Sequence, residues 1–199
     1  MRQEVDFKIL YIAGAGRSGT TLLDIVIGNQ ADSFSIGELI HLIPNGIVDK
    51  EYCSCGQPLP DCELWSVIIS EWEAQMTLSV AEYQRINYQY LRNKATLHWF
   101  FRFLFPNKQV ELFTADTVLL YQLIAKHTGA KTLIDSSKNA QKILLLRKTG
   151  IPFRVLHLVR RFSHVLGSVQ KNHKRDPEAG VEKDLPPFST TYALGVWLA

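Results

Sequence analysis

Eight consecutive residues, Gly14-Ala15-Gly16-Arg17-Ser18-Gly19-Thr20-Thr21, bring together three glycines, three hydroxyls and a guanidinium. They follow the apolar run Ile9-Leu10-Tyr11-Ile12-Ala13 and open into Leu22-Leu23-Asp24-Ile25-Val26-Ile27. That order predicts a strand, a glycine-rich turn and a helix. Backbone N–H groups that converge at a helix N-terminus attract an anion, helped by the helix dipole. Three kinds of anion compete. Gly14, Gly16 and Gly19 with the acidic Glu38 roughly 20 residues on satisfy a dinucleotide fingerprint. Gly14 and Gly19 also satisfy the ends of a nucleoside-triphosphate loop, but Thr20 stands where that loop needs its lysine. The third reading is a smaller anion held without metal by backbone amides, by Ser18, Thr20 and Thr21, and by Arg17.

Two further segments supply cations. Asp135-Ser136-Ser137-Lys138 follows Thr132-Leu133-Ile134, and Arg160-Arg161 follows Val155-Leu156-His157-Leu158-Val159. Ligands of parallel α/β sheets sit beyond the carboxyl ends of the strands. Arg17, Lys138 and Arg160 would then line one basic crevice, suited to a ligand with more than one anionic group. A single Lys or Arg is usually solvated surface charge; three in register are less easily explained that way. Ser168 lies eight residues after Arg160. With a helix starting near Ser163, both side chains reach the same phosphate near its N-terminus.

The elements that must position these groups read as alternating strand and helix. Strands are expected at 7–13, 32–37, 131–135 and 154–159. Helices are expected at 19–29, 79–105 in two pieces, 114–128 stopped by Gly129, 138–149 stopped by Gly150, 163–172, and from Thr190 onward. Residues 50–66 read as a Cys/Pro-rich loop and 173–189 as a polar loop. Short apolar strands spaced by helices imply an α/β domain whose parallel sheet is covered on both faces. A length of 199 residues fits one such domain, with a loop and helical insertion over about 50–112. Hydrophobic content of 46% against 21% charged residues supports a proper core. The net charge of +3 suits an anionic ligand and is too mild to indicate nucleic acid. The apolar N-terminal run continues into the anion loop, so it reads as a strand and not a signal peptide, and no 18-residue apolar run predicts a membrane span. A cytoplasmic protein is the expectation. The apolar pattern of Tyr192, Leu194, Val196, Trp197 and Leu198 runs to Ala199 without a stop signal, which suggests a C-terminal truncation.

Gly16-Arg17-Ser18-Gly19-Thr20-Thr21-Leu22-Leu23 resembles the 5′-phosphosulfate loop of sulfotransferases that use 3′-phosphoadenosine-5′-phosphosulfate (PAPS). Leu158-Val159-Arg160 with Ser168 resembles their 3′-phosphate motif. The two together are far more specific than either alone. The resemblance runs from about residue 7 to 172, with little contribution from 60–130, and is nearer to the protein-tyrosine and carbohydrate branches than to the cytosolic histidine-base branch. It implies a P-loop-like three-layer α/β/α fold around a central parallel sheet. It also implies that Ser18, Gly19, Thr20, Thr21 and Leu22 hold the 5′-phosphosulfate, that Arg160 and Ser168 bind the 3′-phosphate, and that Arg17 and Lys138 flank the sulfuryl group. Glu38, in Ser35-Ile36-Gly37-Glu38-Leu39, matches the glutamate that those branches use as base. The co-substrate would be PAPS, no metal would be required, and the acceptor would offer a hydroxyl or an amine, as a carbohydrate, a phenol or a lipid does. A nucleotide kinase and a non-catalytic nucleotide-binding module are the rival readings. The dinucleotide alternative expects its acid to end a β-branched strand, which Ala31-Asp32-Ser33-Phe34-Ser35 is not.

Other signals are bland by comparison. Cys53-Ser54-Cys55-Gly56 with Cys62 resembles half of a zinc site, but a structural site wants four ligands and His41 has no supporting spacing; a disulfide is the other alternative. The expectation is a small loop packed with Trp65, without metal. The aromatic run 97–105 reads as a core or lid helix, His157 as a core residue of its strand, and His127 as a last-turn histidine. Residues 171–175 read as a solvated basic run.

Overall fold

The computed structural model describes residues 6–92, 107–170, 173–176, 181–184 and 189–198. Four strands form one parallel sheet: β1 (Lys8–Gly14), β2 (Ser33–Gly37), β3 (Thr132–Lys138) and β4 (Phe153–Leu158), in the order β2-β3-β1-β4. β1 and β4 lie on apolar runs, β2 is a mixed segment ended by Gly37, and β3 continues past its apolar start and past the expected end at 135, through Asp135 to Lys138. Parallel strands need crossover connections, and α1 (Thr20–Gly28) supplies the one from β1 to β2, which leaves room for β3 between them.

Helices cover both faces. Successive residues of a strand point to opposite sides, and β3 displays this in its hydrogen bonds. Ser136 bonds to Asp24 of α1, whereas Asp135 bonds to Tyr121 of α4 (Lys108–Thr128) and pairs with Lys142 of α5 (Ala140–Thr149). The principal core lies on the α4/α5 side. There Ile9, Tyr11 and Leu133 of the sheet join Trp65, Ile68 and Trp72 of α2 (Glu63–Gln75), Ile86 of α3 (Val80–Asn87), and Leu120 and Ile124 of α4. The N-terminus of α3 is closed by a reciprocal capping box between Ser79 and Glu82. Helices α4 and α5 end on Gly129 and Gly150, both left-handed, as the two glycines predicted.

Four sequence expectations need correction. The Cys/Pro-rich loop ends earlier than residue 66, because α2 begins at Glu63. Helix α4 begins six residues before Thr114, at Lys108, where the Asn107 side chain accepts a bond from the Gln109 N–H. The polar loop 173–189 contains an antiparallel hairpin, β5 (His173–Asp176) with β6 (Val181–Asp184), which takes in the His173–Arg175 part of the basic run. His157 is exposed, not part of the core, because it lies on an edge strand whose middle four residues are all open to solvent. The helix expected over 79–105 is present as α3 and a π-helical segment, Tyr88–Arg92; its aromatic part at 97–105 lies outside the described residues. After β4 come α6 (Phe162–Val169) and α7 (Thr190–Leu198), the second beginning where the sequence placed it. No helix among the described residues is long and apolar enough to cross a membrane.

Candidate functional site

The sheet register decides which side chains meet. Ala13 lies opposite Lys138, Gly14 opposite Leu158, and Gly37 opposite Asp135. The ends of all four strands therefore share one edge of the sheet, and the glycine loop leaves its middle. Gly14 permits that close approach: with φ at +146°, a Cβ built there would fall 2.4 Å from the Leu158 carbonyl oxygen. The loop closes with the Ser18 N–H donating to the Ala15 carbonyl at 3.2 Å. Gly19, left-handed at φ 95°, is the N-cap of α1. Among the described residues no side chain caps that helix and no acid lies in its first turn, so its dipole is uncompensated there. Ser18 and Thr20 are buried, and among the described residues the Ser18 hydroxyl has no hydrogen-bond partner. Thr21 and Leu22 are exposed.

The end of β3 is wired in every direction. The buried Asp135 carboxylate accepts from Tyr121 and Ser137 and pairs at 2.7 Å with Lys142, a residue only 2% exposed. Burial pushes the Lys142 ammonium below the ordinary lysine value, and the adjacent Asp135 opposes that shift. On the other face, Ser136 Oγ donates to Asp24 at 2.7 Å, and burial raises the Asp24 carboxyl above its ordinary value despite that bond. The Tyr11 hydroxyl, buried beside Asp135 and pushed well above its ordinary value, donates to the Asn139 carbonyl at 2.6 Å. Sequence inspection missed Asp24, Asp135 and Lys142 as a network, since Ser136 and Asp24 stand 112 residues apart.

Lys138 is carried out of this framework in a left-handed conformation, φ 63°. Its ammonium donates to Glu38 Oε1 across a span of 100 residues. The other carboxylate oxygen of Glu38 lies 3.6 Å from His41 Nε2. Glu38 precedes a short 3₁₀ turn, Leu39–His41, which is fixed at both ends of Ile40: its N–H donates to Ser137 Oγ and its carbonyl accepts from Asn87. Two of the three proposed catalytic groups, Glu38 and Lys138, are thus in contact.

Arg17 is also left-handed, at φ 67°. Its carbonyl accepts a 2.9 Å bond from the Arg160 guanidinium, which joins the loop after β4 to the glycine loop. Trp197 of α7 donates to the Arg160 carbonyl at 2.8 Å and stacks edge-on against Phe162. Ser168 sits on α6, less than two turns in, partly exposed.

The strand order bears on the dinucleotide alternative. In the common dinucleotide-binding order β2 lies beside β1, so an acid at its end meets the ligand of the first loop. Here β3 stands between them. Glu38 meets Lys138 before it can meet anything bound at α1. A cleft of about 610 Å³, lined by Phe7, Leu119, Leu123, Lys126 and Lys131 among others, lies at the opposite end of the sheet, where β1 and β3 begin. In the Cys-rich segment, Cys62 and Trp65 are buried in one core, as expected, and the sulfurs of Cys53, Cys55 and Cys62 all lie within 4.8 Å of one another.

Compared with family models, with curated proteins and with solved structures, the chain matches none.

Proposed function

We propose that this chain is a P-loop-like sulfotransferase that moves a sulfuryl group from PAPS to a hydroxyl or amine acceptor. The observation that supports it most is the meeting of three strand ends at one edge: an uncapped α1 N-terminus, the Lys138–Glu38 pair and Arg160 bonded to the glycine loop. The amides from Ser18 to Leu22 would receive the 5′-phosphosulfate. Arg160 spends one donor on the Arg17 carbonyl and has other guanidinium N–H groups for a 3′-phosphate, with Ser168 on the following helix.

Sulfuryl transfer is expected to resemble phosphoryl transfer, with an in-line, loose transition state. The acceptor oxygen or nitrogen forms a bond to sulfur as the bond from sulfur to the bridging oxygen of the donor breaks. The electron pair goes to that oxygen, yielding 3′,5′-adenosine bisphosphate. The acceptor proton goes to Glu38. Arg17 and Lys138 supply positive charge beside the transferring group, where preorganised charge contributes most. Donor binding would draw the Lys138 ammonium from Glu38 toward the sulfuryl oxygens and leave the carboxylate to face the acceptor. The reading carries with it a cytoplasmic enzyme.

Calorimetric titration with 3′,5′-adenosine bisphosphate, 5′-AMP, ATP and NAD tests the donor site. Preference for the bisphosphate without added metal, abolished in Arg160→Ala, is expected. Equal binding of 5′-AMP would remove the 3′-phosphate assignment, and magnesium-dependent preference for ATP would favour the kinase. One observation supports a non-catalytic binding module: Glu38 is already engaged by Lys138 and His41. Glu38→Gln separates the two. As base, its loss leaves donor binding intact and lowers turnover by on the order of 100-fold or more.

A further inference from the structure

The segment between the π-helical turn Leu42–Val48 and α2 is folded around its cysteines. The Cys53 N–H donates to the Gln57 carbonyl at 2.8 Å, and the Gly56 N–H donates back to the Cys53 carbonyl at 2.9 Å. Gly56, at φ 83°, takes the left-handed position that this turn needs. Tyr52 and Pro58 bridge its base. The chain then passes through a 3₁₀ turn, Leu59–Asp61, whose Leu59 carbonyl accepts from the Cys62 N–H. Cys62 becomes the N-cap residue of α2, with no side-chain cap bond. The outcome is that three sulfurs, from positions 53, 55 and 62, converge within 4.8 Å of one another. Cys62 is buried, Cys53 is half-buried and Cys55 is exposed.

Packing alone does not explain this convergence. Cys62 belongs to the core and Cys53 packs against its edge, but Cys55 is open to solvent and gains nothing by approaching them. A disulfide would use two sulfurs and leave the third beside it without a role. A tetrahedral ion with zinc–sulfur bonds of about 2.3 Å holds its thiolates just under about 4 Å apart, a modest contraction of the arrangement already present. Three thiolates around a divalent zinc leave one net negative charge. That charge would lie at the uncapped N-terminus of α2, where the helix dipole stabilises it.

We propose that Cys53, Cys55 and Cys62 form a three-thiolate site for a zinc-type divalent ion, with the fourth position open on the Cys55 side. The three thiols release their protons to solvent as the three metal–sulfur bonds form. No oxidation is involved. The ion would staple the loop after Val48 to the start of α2, holding in place a segment whose other end begins at Glu38. The inference is independent of the sulfuryl-transfer reading, since it concerns a separate segment and requires no donor.

The full chain, purified under reducing conditions, is titrated with Co²⁺ in place of zinc, and its zinc content is measured separately. The expected results are about one zinc per chain, intense thiolate-to-cobalt charge-transfer absorption, and a melting temperature that falls with chelator and recovers with zinc. Cys55→Ser removes an exposed ligand and should leave the fold intact, as its far-ultraviolet circular dichroism will report. It should weaken cobalt binding by more than the about 10–100-fold that losing an outer-shell partner costs. Ser54→Ala should leave binding unchanged. Three outcomes each overturn the proposal: no charge-transfer band in the reduced wild type, the same affinity in Cys55→Ser, or a single free thiol per chain in protein purified without reductant.

Discussion

β3 and β4 flank β1 on its two sides, and each delivers a cation to the same edge of the sheet, yet they are built in opposite ways. β3 is buried along its middle five positions and ends in a polar network that reaches α1, α4 and α5. β4 is an edge strand with its middle four residues exposed, and Arg160 beyond it is held by its bond to the Arg17 carbonyl and by Trp197. The backbone behind one cation is fixed by the core, and the other cation is tied to the glycine loop. The Lys138 backbone thus has a rigid mount while its ammonium rests on Glu38, whereas Arg160 is held by its own contacts to the glycine loop and Trp197.

The comparison can be broken at the β3 side first. Lys142→Met removes the only ammonium paired with the buried Asp135 among the described residues and leaves an uncompensated charge. Losing one partner of such a pair costs about 3–5 kcal/mol, readable as a fall in the urea midpoint. The isolated pair is no proof of stability: burial lowers the lysine in the folded state, so its contribution is complete only above the ordinary 10.5 and is lost as pH falls through the folded value. Gly14→Ala tests the junction of β1 with β4. The conformation alone costs about 1–3 kcal/mol, and the clash with the Leu158 carbonyl adds to it. Donor affinity should fall with stability here, because the loop begins at this residue. Trp197→Phe keeps a ring against Phe162 but deletes the bond to the Arg160 carbonyl. A loss of about 0.5–1.5 kcal/mol is expected, and a larger one would mean that the β4 side is as tightly built as β3.

The smallest effect is a change of slope. Burial raises Asp24 above its ordinary 3.8, so its contribution is fully present below that value and is lost as pH rises through the folded one. Asp24→Asn keeps an acceptor for Ser136 and should lose less stability than the wild type between pH 3.8 and neutrality. Parallel urea midpoints in the two proteins would refute the shift.

The strands and the glycine-stopped helices were legible because their signals are local: apolar runs bounded by Gly14, Gly37, Gly129 and Gly150. Helix α2 carried a signal too, with Trp65, Ile68, Ile69 and Trp72 at helical spacing, but Cys62 is no ordinary cap and the cysteines drew the segment toward a loop reading. The exposure of His157 was not legible, because an apolar strand reads alike whether it lies at the centre or at the edge of a sheet. Glu38, Arg17, Lys138 and Arg160 were named from motif and strand order, while the bonds between them depend on a register that local sequence does not encode. Asp24, Asp135 and Lys142 looked like ordinary helix and strand residues, since each finds its partner across the fold.

Arg17 and Lys138 share a backbone region that costs a side chain with a Cβ and costs glycine nothing. At both positions glycine would relax the chain. A thermostability screen run without an activity readout would therefore select against the two cations to which the proposal assigns the sulfuryl group. If the sulfuryl-transfer proposal holds, engineering of this fold has to keep those two residues, because the backbone-relaxing substitution there is also the one that removes a proposed functional cation.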